Sequence, residues 1–186
     1  MLADIGLGIF VALIASNLFG IEVSAQLAGI SVLFALLPDA DFLVHAIAHR
    51  KVGGKYAHVH RDLFHYPLLY LGIGGVFAAL FGAAWFFVFM AASLAHFIHD
   101  SMGIGWGIKW MYPFSKKISK LFSTKEGDLS MNASATWSEE ELEKVAEEKG
   151  NEHWIRDVYF RWHPVGVIEN VVFIVAIVTL LYVIYG

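Results

Sequence analysis

Apolar residues are concentrated in five stretches of this chain, separated by short polar connections and one long polar segment. The stretches run at about 5–20, 23–37, 64–81, 84–97 and 165–185. A helix crosses the hydrocarbon core of a bilayer with about 17–25 mostly apolar residues. The pattern therefore predicts an all-α, polytopic membrane protein with about five transmembrane helices.

The positive charges predict how these helices are oriented. Four Lys and Arg residues lie between 50 and 61, and the other nine lie between 109 and 161. Basic loops stay on the cytoplasmic side of a membrane. Five helices with both basic regions inside place the N-terminus in the cytoplasm and the C-terminus outside.

The polar segment 101–163 is predicted to be a cytoplasmic or interfacial helical insertion between helices four and five. Ser138 and Glu141 have the spacing of a capping box, and Trp137 can pack on Leu142. Gly150 is placed to end this acidic helix, which we interpret as a solvated surface helix. We predict a single integral-membrane domain over 1–186, with helices one to four in 1–100 and the last helix in 164–186.

Composition supports the membrane class and limits the possible chemistry. Hydrophobic residues make up 58% of the chain and charged residues 16%, both far from the average of soluble proteins. The net charge of -4 gives no sign of a nucleic-acid partner. The chain has 0 Cys, so any metal must be bound through nitrogen and oxygen.

Asp and His residues are clustered in three short patches where apolar stretches end. The patches are PDAD at 38–41, HRDLFH at 60–65 and HFIHD at 96–100. Ionisable side chains at membrane depth are costly and are usually functional, and Asp with His is a natural ligand set for a divalent metal. The candidate metal ligands are Asp39, Asp41, His60, His65, His96 and Asp100.

In the first patch, Pro38 disfavours helical geometry at the residue before it. A helix break there lets both Asp39 and Asp41 turn toward one centre, and His45 can share a face with Asp41. The alternative is that the two carboxylates cap the next helix.

In the second patch, His60 and His65 precede the third apolar stretch, and Pro67 fits the first turn of a helix. Arg61 between them can clamp a phosphate or carboxylate of a substrate. The alternative is that these are plain surface histidines of a basic loop.

In the third patch, His96 and Asp100 are spaced i, i+4 on one helical face, as in other helical metal sites. His99 points elsewhere and can support a ligand by hydrogen bonding. A lone His on an apolar helix is more often a core residue, but the predicted topology brings all three patches to the cytoplasmic face.

The runs LPDAD, HRDLFHYPL and SLAHFIHDSMGIGWGIKWMYPF resemble the YdjM-like membrane-bound metal-dependent hydrolases over about residues 30–117. These are small multi-pass proteins of the inner membrane of bacteria and archaea. The resemblance implies that the six candidate ligands are functional and that Arg61 belongs to the site. This chain has Phe42 and Asp62 where the family usually has His and Gly. The family often has an early His in the first helix, and the nearest polar residue here is Asp4.

The function expected is hydrolysis, in which metal-activated water attacks an ester or phosphoester. The substrate would be a membrane lipid or another phosphoester near the membrane. The cofactor would be one or two divalent ions, zinc first, with manganese or magnesium as alternatives. Arg61 would hold the anionic group, and His45 or His99 would move the proton. The alternative is a metal-ion transporter or metal-sensing membrane protein, because intramembrane Asp and His also serve ion pathways.

Overall fold

The computed structural model describes residues 1–40, 64–103, 105–151 and 153–186. Asp41, His45, His60 and Arg61 lie outside the described residues. The elements of the described ranges, in chain order, are α1 (Leu2–Phe19), α2 (Ala25–Leu36), a 3-10 turn (Leu37–Asp39), α3 (Pro67–Phe81), α4 (Ala83–Met102), β1 (Ile118–Ser123), β2 (Leu129–Trp137), α5 (Glu139–Lys149), α6 (Trp154–Tyr159) and α7 (Pro164–Tyr185).

Each of the five predicted apolar stretches forms a helix. Helices α1, α4 and α7 are long and apolar enough to cross a membrane, whereas α2 and α3 are shorter apolar helices. The number of helices that cross, and their direction, remain predictions. Helix α1 begins at Leu2, three residues before the predicted start at 5, and its first turn therefore includes Asp4.

The prediction that the fold is all-α is wrong for the polar segment, where β1 and β2 pair as an antiparallel hairpin. Ile118 lies opposite Trp137, and Lys120 lies opposite Ala135. Lys120 occupies an inward position and is 8% exposed, with its Nζ 5.8 Å from the ring centre of Trp106. The stem of this lysine is buried while its ammonium contacts an aromatic face. A lysine at an inward position interrupts the alternation of apolar and polar residues by which a strand is recognised in a sequence.

The chain forms two compact units. The apolar unit comprises Met1–Pro38, Leu69–His96 and Gly166–Gly186, and the polar unit comprises Asp39–Leu68 and Phe97–Val165. The single integral-membrane domain stays a prediction.

Within the apolar unit, α1 and α2 approach each other closely at small residues. A Cβ at Gly8 would lie 2.7 Å from Val32 Cα, so only glycine fits there without a shift of the backbone. Ser31 Oγ donates a hydrogen bond to the Gly8 carbonyl at 2.6 Å. Small residues and interhelical hydrogen bonds are the usual means of joining helices in a membrane, because apolar side chains gain little there by leaving lipid.

Within the polar unit, the hairpin packs on α5 through a small core of Ile118, Ala135, Trp137 and Leu142. The predicted packing of Trp137 with Leu142 is therefore confirmed. The predicted capping box is also confirmed: Glu141 N donates to Ser138 Oγ, and Ser138 N donates to a Glu141 carboxylate oxygen. These two bonds satisfy backbone donors that the first turn of α5 would otherwise leave open.

Candidate metal centre

Asp39 is placed by the break at the end of α2. The α-helix ends at Leu36 and continues as the 3-10 turn Leu37–Asp39, so the prediction that Pro38 takes Leu37 out of helical geometry is wrong. Leu37 itself keeps helical angles, with φ -58 and ψ -39. The helix therefore tightens beside Pro38 without breaking, and Asp39, with a side chain 25% exposed, lies in this 3-10 turn.

His65 is placed by the start of α3, which begins at Pro67 as predicted. Its side chain is fully buried. The next residue, Tyr66, stacks on Tyr112 with ring centres 4.0 Å apart, and the His65 ring also contacts Phe97 edge-on. Aromatic contacts of this kind restrict the backbone on both sides of the imidazole.

His96 and Asp100 lie one turn apart on α4, as their spacing predicts. Asp100 is in the last turns of the helix, where Ser101 Oγ donates to the Phe97 carbonyl at 2.8 Å. The same hydroxyl accepts a hydrogen bond from Trp110 Nε1 at 2.9 Å. The aromatic segment that follows α4 is thereby fastened to the turn that carries Asp100.

Two carboxylates face one nitrogen of His65. His65 Nε2 lies 3.3 Å from Asp100 Oδ2 and 3.7 Å from Asp39 Oδ1. Ligands at 2.0–2.2 Å from a tetrahedral zinc ion are about 3.3–3.6 Å from one another. The separation from Asp100 lies in this range and the separation from Asp39 lies just above it. Both therefore suit ligands around one ion, and they equally suit ion pairs with a protonated imidazole.

Ligand atoms of Asp39, His65 and His96 all lie within 4.8 Å of one another. Two imidazoles and a carboxylate form a mixed nitrogen and oxygen donor set of the kind that divalent metals take. This group can therefore hold a metal ion, and the donor set does not single out one metal. The described residues thus join one member of each of the three sequence patches.

Asp4 is a further buried carboxylate beside this group, and sequence reasoning did not count it as a site residue. Its Oδ1 lies 3.3 Å from His96 Nδ1, and both side chains are 1% exposed. The signal that could have found it is its place in the first turn of α1, directly before an apolar stretch.

The remaining predicted site residues are four that lie outside the described residues and one, His99, that lies on α4. Asp41, His60, His45 and Arg61 fall outside the described residues, and their roles stay predictions. His99 is a half-buried residue of the last turns of α4. Its role in proton transfer also stays a prediction.

Comparison with known protein families identifies the chain. The model of the YdjM inner membrane protein family matches residues 2–186, and the chain therefore belongs to that family. Comparison with curated proteins and with solved structures gives no significant match.

Proposed function

We propose that this protein is a membrane-bound, metal-dependent hydrolase that acts on an ester or phosphoester at the membrane surface. The observation that supports this most is the meeting of Asp39, His65 and His96 within 4.8 Å. Buried ionisable side chains in an apolar chain are expensive to maintain, and a divalent ion among them would offset that expense.

Asp39, His65 and His96 would hold the ion, and Asp100, whose Oδ2 lies 3.3 Å from His65 Nε2, would join them as a further ligand. When bound, such an ion acidifies a coordinated water and polarises an ester or phosphoryl oxygen. Arg61 would pair with the anionic group of the substrate through its planar guanidinium. His45 or His99 would accept a proton from the attacking water and return it to the leaving group.

The site would lie at the cytoplasmic face of the inner membrane. Asp39 lies in the 3-10 turn after α2, His65 precedes α3 and Asp100 lies near the end of α4. If these helices cross in alternate directions, all three residues come to the same face as the two basic regions. A substrate at that depth would be a lipid headgroup or another phosphoester that reaches the headgroup layer.

A metal transporter or sensor is the competing function, and it would use the same residues. An ion pathway needs polar side chains at several membrane depths. Among the described candidate ligands, Asp39, His65 and Asp100 instead lie at or next to helix ends. This distribution favours a surface reaction over passage of an ion.

The test begins with metal content and ends with turnover. Full-length protein would be purified in detergent as wild type, Asp39→Asn, His96→Gln and the control His153→Gln, which alters an exposed histidine of the polar unit. We expect stoichiometric metal in the wild type and the control, and substoichiometric metal in the other two. Equal metal in all four would contradict the site.

The loaded wild type would then be tested on phosphomonoester and phosphodiester lipids in mixed micelles. We expect release of headgroup or phosphate from at least one class, and its loss in Asp39→Asn. Metal binding without turnover on the whole panel would contradict the hydrolase and favour the carrier or sensor.

A further inference from the structure

The contact between Asp4 and His96 is unusual for an acidic residue at the start of a helix. An aspartate in the first turn ordinarily stands in solvent and complements the helix dipole. Asp4 is instead 1% exposed and faces an equally buried imidazole at 3.3 Å. The dipole alone therefore does not explain why a carboxylate is kept at this position.

The two nitrogens of an imidazole have different tasks when one of them binds a metal. The other nitrogen carries the proton and usually donates it to a carboxylate, a backbone carbonyl or water. This donation fixes the tautomer and the direction of the ring. Asp4 Oδ1 is nearest to Nδ1 of His96, which leaves Nε2 on the opposite side of the ring for an ion.

We propose that Asp4 is a positioning residue that accepts the Nδ1 proton of His96 and holds the ring so that Nε2 meets the metal. The proposal rests on the metal site proposed above. Among the residues that the structure describes, the group with ligand atoms inside 4.8 Å is Asp39, His65 and His96. Asp4 therefore acts on the ion through His96 and does not bind it directly.

A general effect of buried negative charge is the plain alternative, and Glu169 provides the control for it. Glu169 is 5% exposed, near the start of α7 in the same unit. Its Oε2 lies 3.7 Å from the Met1 amino group, which is also 2.7 Å from Asp4 Oδ2. Glu169→Gln thus removes a buried carboxylate from the same end of the apolar unit.

The experiment is a Co²⁺ titration of metal-stripped, detergent-purified full chain, followed by its visible absorption. We expect Asp4→Asn to weaken Co²⁺ binding about tenfold and Asp4→Ala up to about 100-fold, the range for partners of ligating histidines. The d–d absorption bands of the bound Co²⁺ should indicate the same coordination number in both Asp4 variants as in the wild type. Glu169→Gln should change the dissociation constant less than about twofold, because it removes a negative charge beside the Met1 amino group and leaves the proposed acceptor for His96 Nδ1 in place.

Three results would overturn the role of Asp4: unchanged affinity in Asp4→Asn, an equal loss in Glu169→Gln, or a lost ligand in the Co²⁺ spectrum. A wild type that binds no Co²⁺ refutes the metal site itself, and that failure is distinct from the first three.

A measurement on the wild type keeps the proposal testable if the variants do not fold. In ¹⁵N-histidine spectra of the Zn²⁺-loaded protein, His96 should be protonated at Nδ1 and metal-bound at Nε2. Metal on Nδ1 would contradict the proposal.

Discussion

The pairs of ionisable side chains around the helix ends differ from the ion pairs of the hairpin and α5, here called the hairpin region, chiefly in exposure. Asp4 and His96 face each other with side chains 1% exposed. In the hairpin region Lys149 and Asp128 are 2.8 Å apart, with side chains 45% and 61% exposed. Exposed pairs contribute little to folding stability, and the attraction within a buried pair is often too small to offset its desolvation. A small contribution to folding stability is enough to explain the exposed pairs. The buried pairs cannot be explained in this way, and we therefore connect them with a function.

The sharpest way to break this comparison is to remove a buried imidazole near the helix ends and, separately, an exposed imidazole elsewhere in the polar unit. His65→Ala should weaken divalent metal binding by on the order of a thousandfold, more than the 10–100-fold typical of an outer partner. His153→Ala removes an exposed histidine and should leave affinity unchanged. Isothermal titration of metal-stripped protein measures both. Similar affinities in the two variants would mean that burial of His65 has no connection with metal.

A substitution in the buried core of the hairpin region should affect that region alone. Trp137 is 2% exposed, and its Nε1 donates to the Lys125 carbonyl at 2.8 Å. Trp137→Ala should destabilise residues 118–149 by about 3 kcal/mol, the lower end for a buried aromatic. Hydrogen exchange of those amides would measure the loss. Leu129→Ala, at a residue 70% exposed, is the control and should change exchange little. A fall in metal affinity in Trp137→Ala would show that the two regions are not separable.

A smaller effect is expected at the cap of α5. Ser138→Ala removes the acceptor for Glu141 N and should cost about 1 kcal/mol of helix stability. Exchange rates in 139–149 would report it. Ser134→Ala, at an exposed strand position, should leave those rates unchanged. Loss of bound metal in Ser138→Ala would contradict the separation between the metal site at the helix ends and the hairpin region.

The smallest effect is a pH dependence in the hairpin region. The hydrogen bond from Lys109, and then its charge, hold the pKa of Glu139 below the usual 4.5. A lowered folded pKa stabilises the fold above about pH 4.5, and this contribution is lost as pH falls through the lowered value.

Because the Glu139 side chain is 54% exposed, solvent screening keeps the contribution of this pair below about 1 kcal/mol. Glu139→Gln should narrow the difference in urea stability between pH 7 and pH 3, relative to the wild type. Glu140→Gln serves as its control. If the stability of Glu139→Gln depends on pH as much as that of the wild type, the pair of Lys109 and Glu139 does not cause the pH dependence.

The helix ends were predictable because their signals are local. Pro38 marked the end of α2, Pro67 marked the start of α3, and the i, i+4 spacing placed His96 and Asp100 on one face. The capping box at Ser138 was equally local. Each of these signals depends on backbone sterics or hydrogen bonds within about four residues.

The parts that could not be predicted depend on long-range contacts. Lys120 faces inward only because β2 and Trp106 cover its stem, so the hairpin left no regular alternation in the sequence. Asp4 precedes the apolar stretch by one residue and is remote in sequence from His96. Its burial follows from packing of α1 in the apolar unit, which hydropathy along the chain does not report.

The central claim is that Asp39, His65 and His96 hold one divalent ion. Zinc-edge X-ray absorption of the loaded full-length protein tests it most directly, because imidazole ligands give a distinct outer-shell scattering pattern. We predict at least two imidazole nitrogens in the wild type, and one fewer in His65→Gln. A coordination sphere without imidazole, or one unchanged by His65→Gln, would contradict the claim.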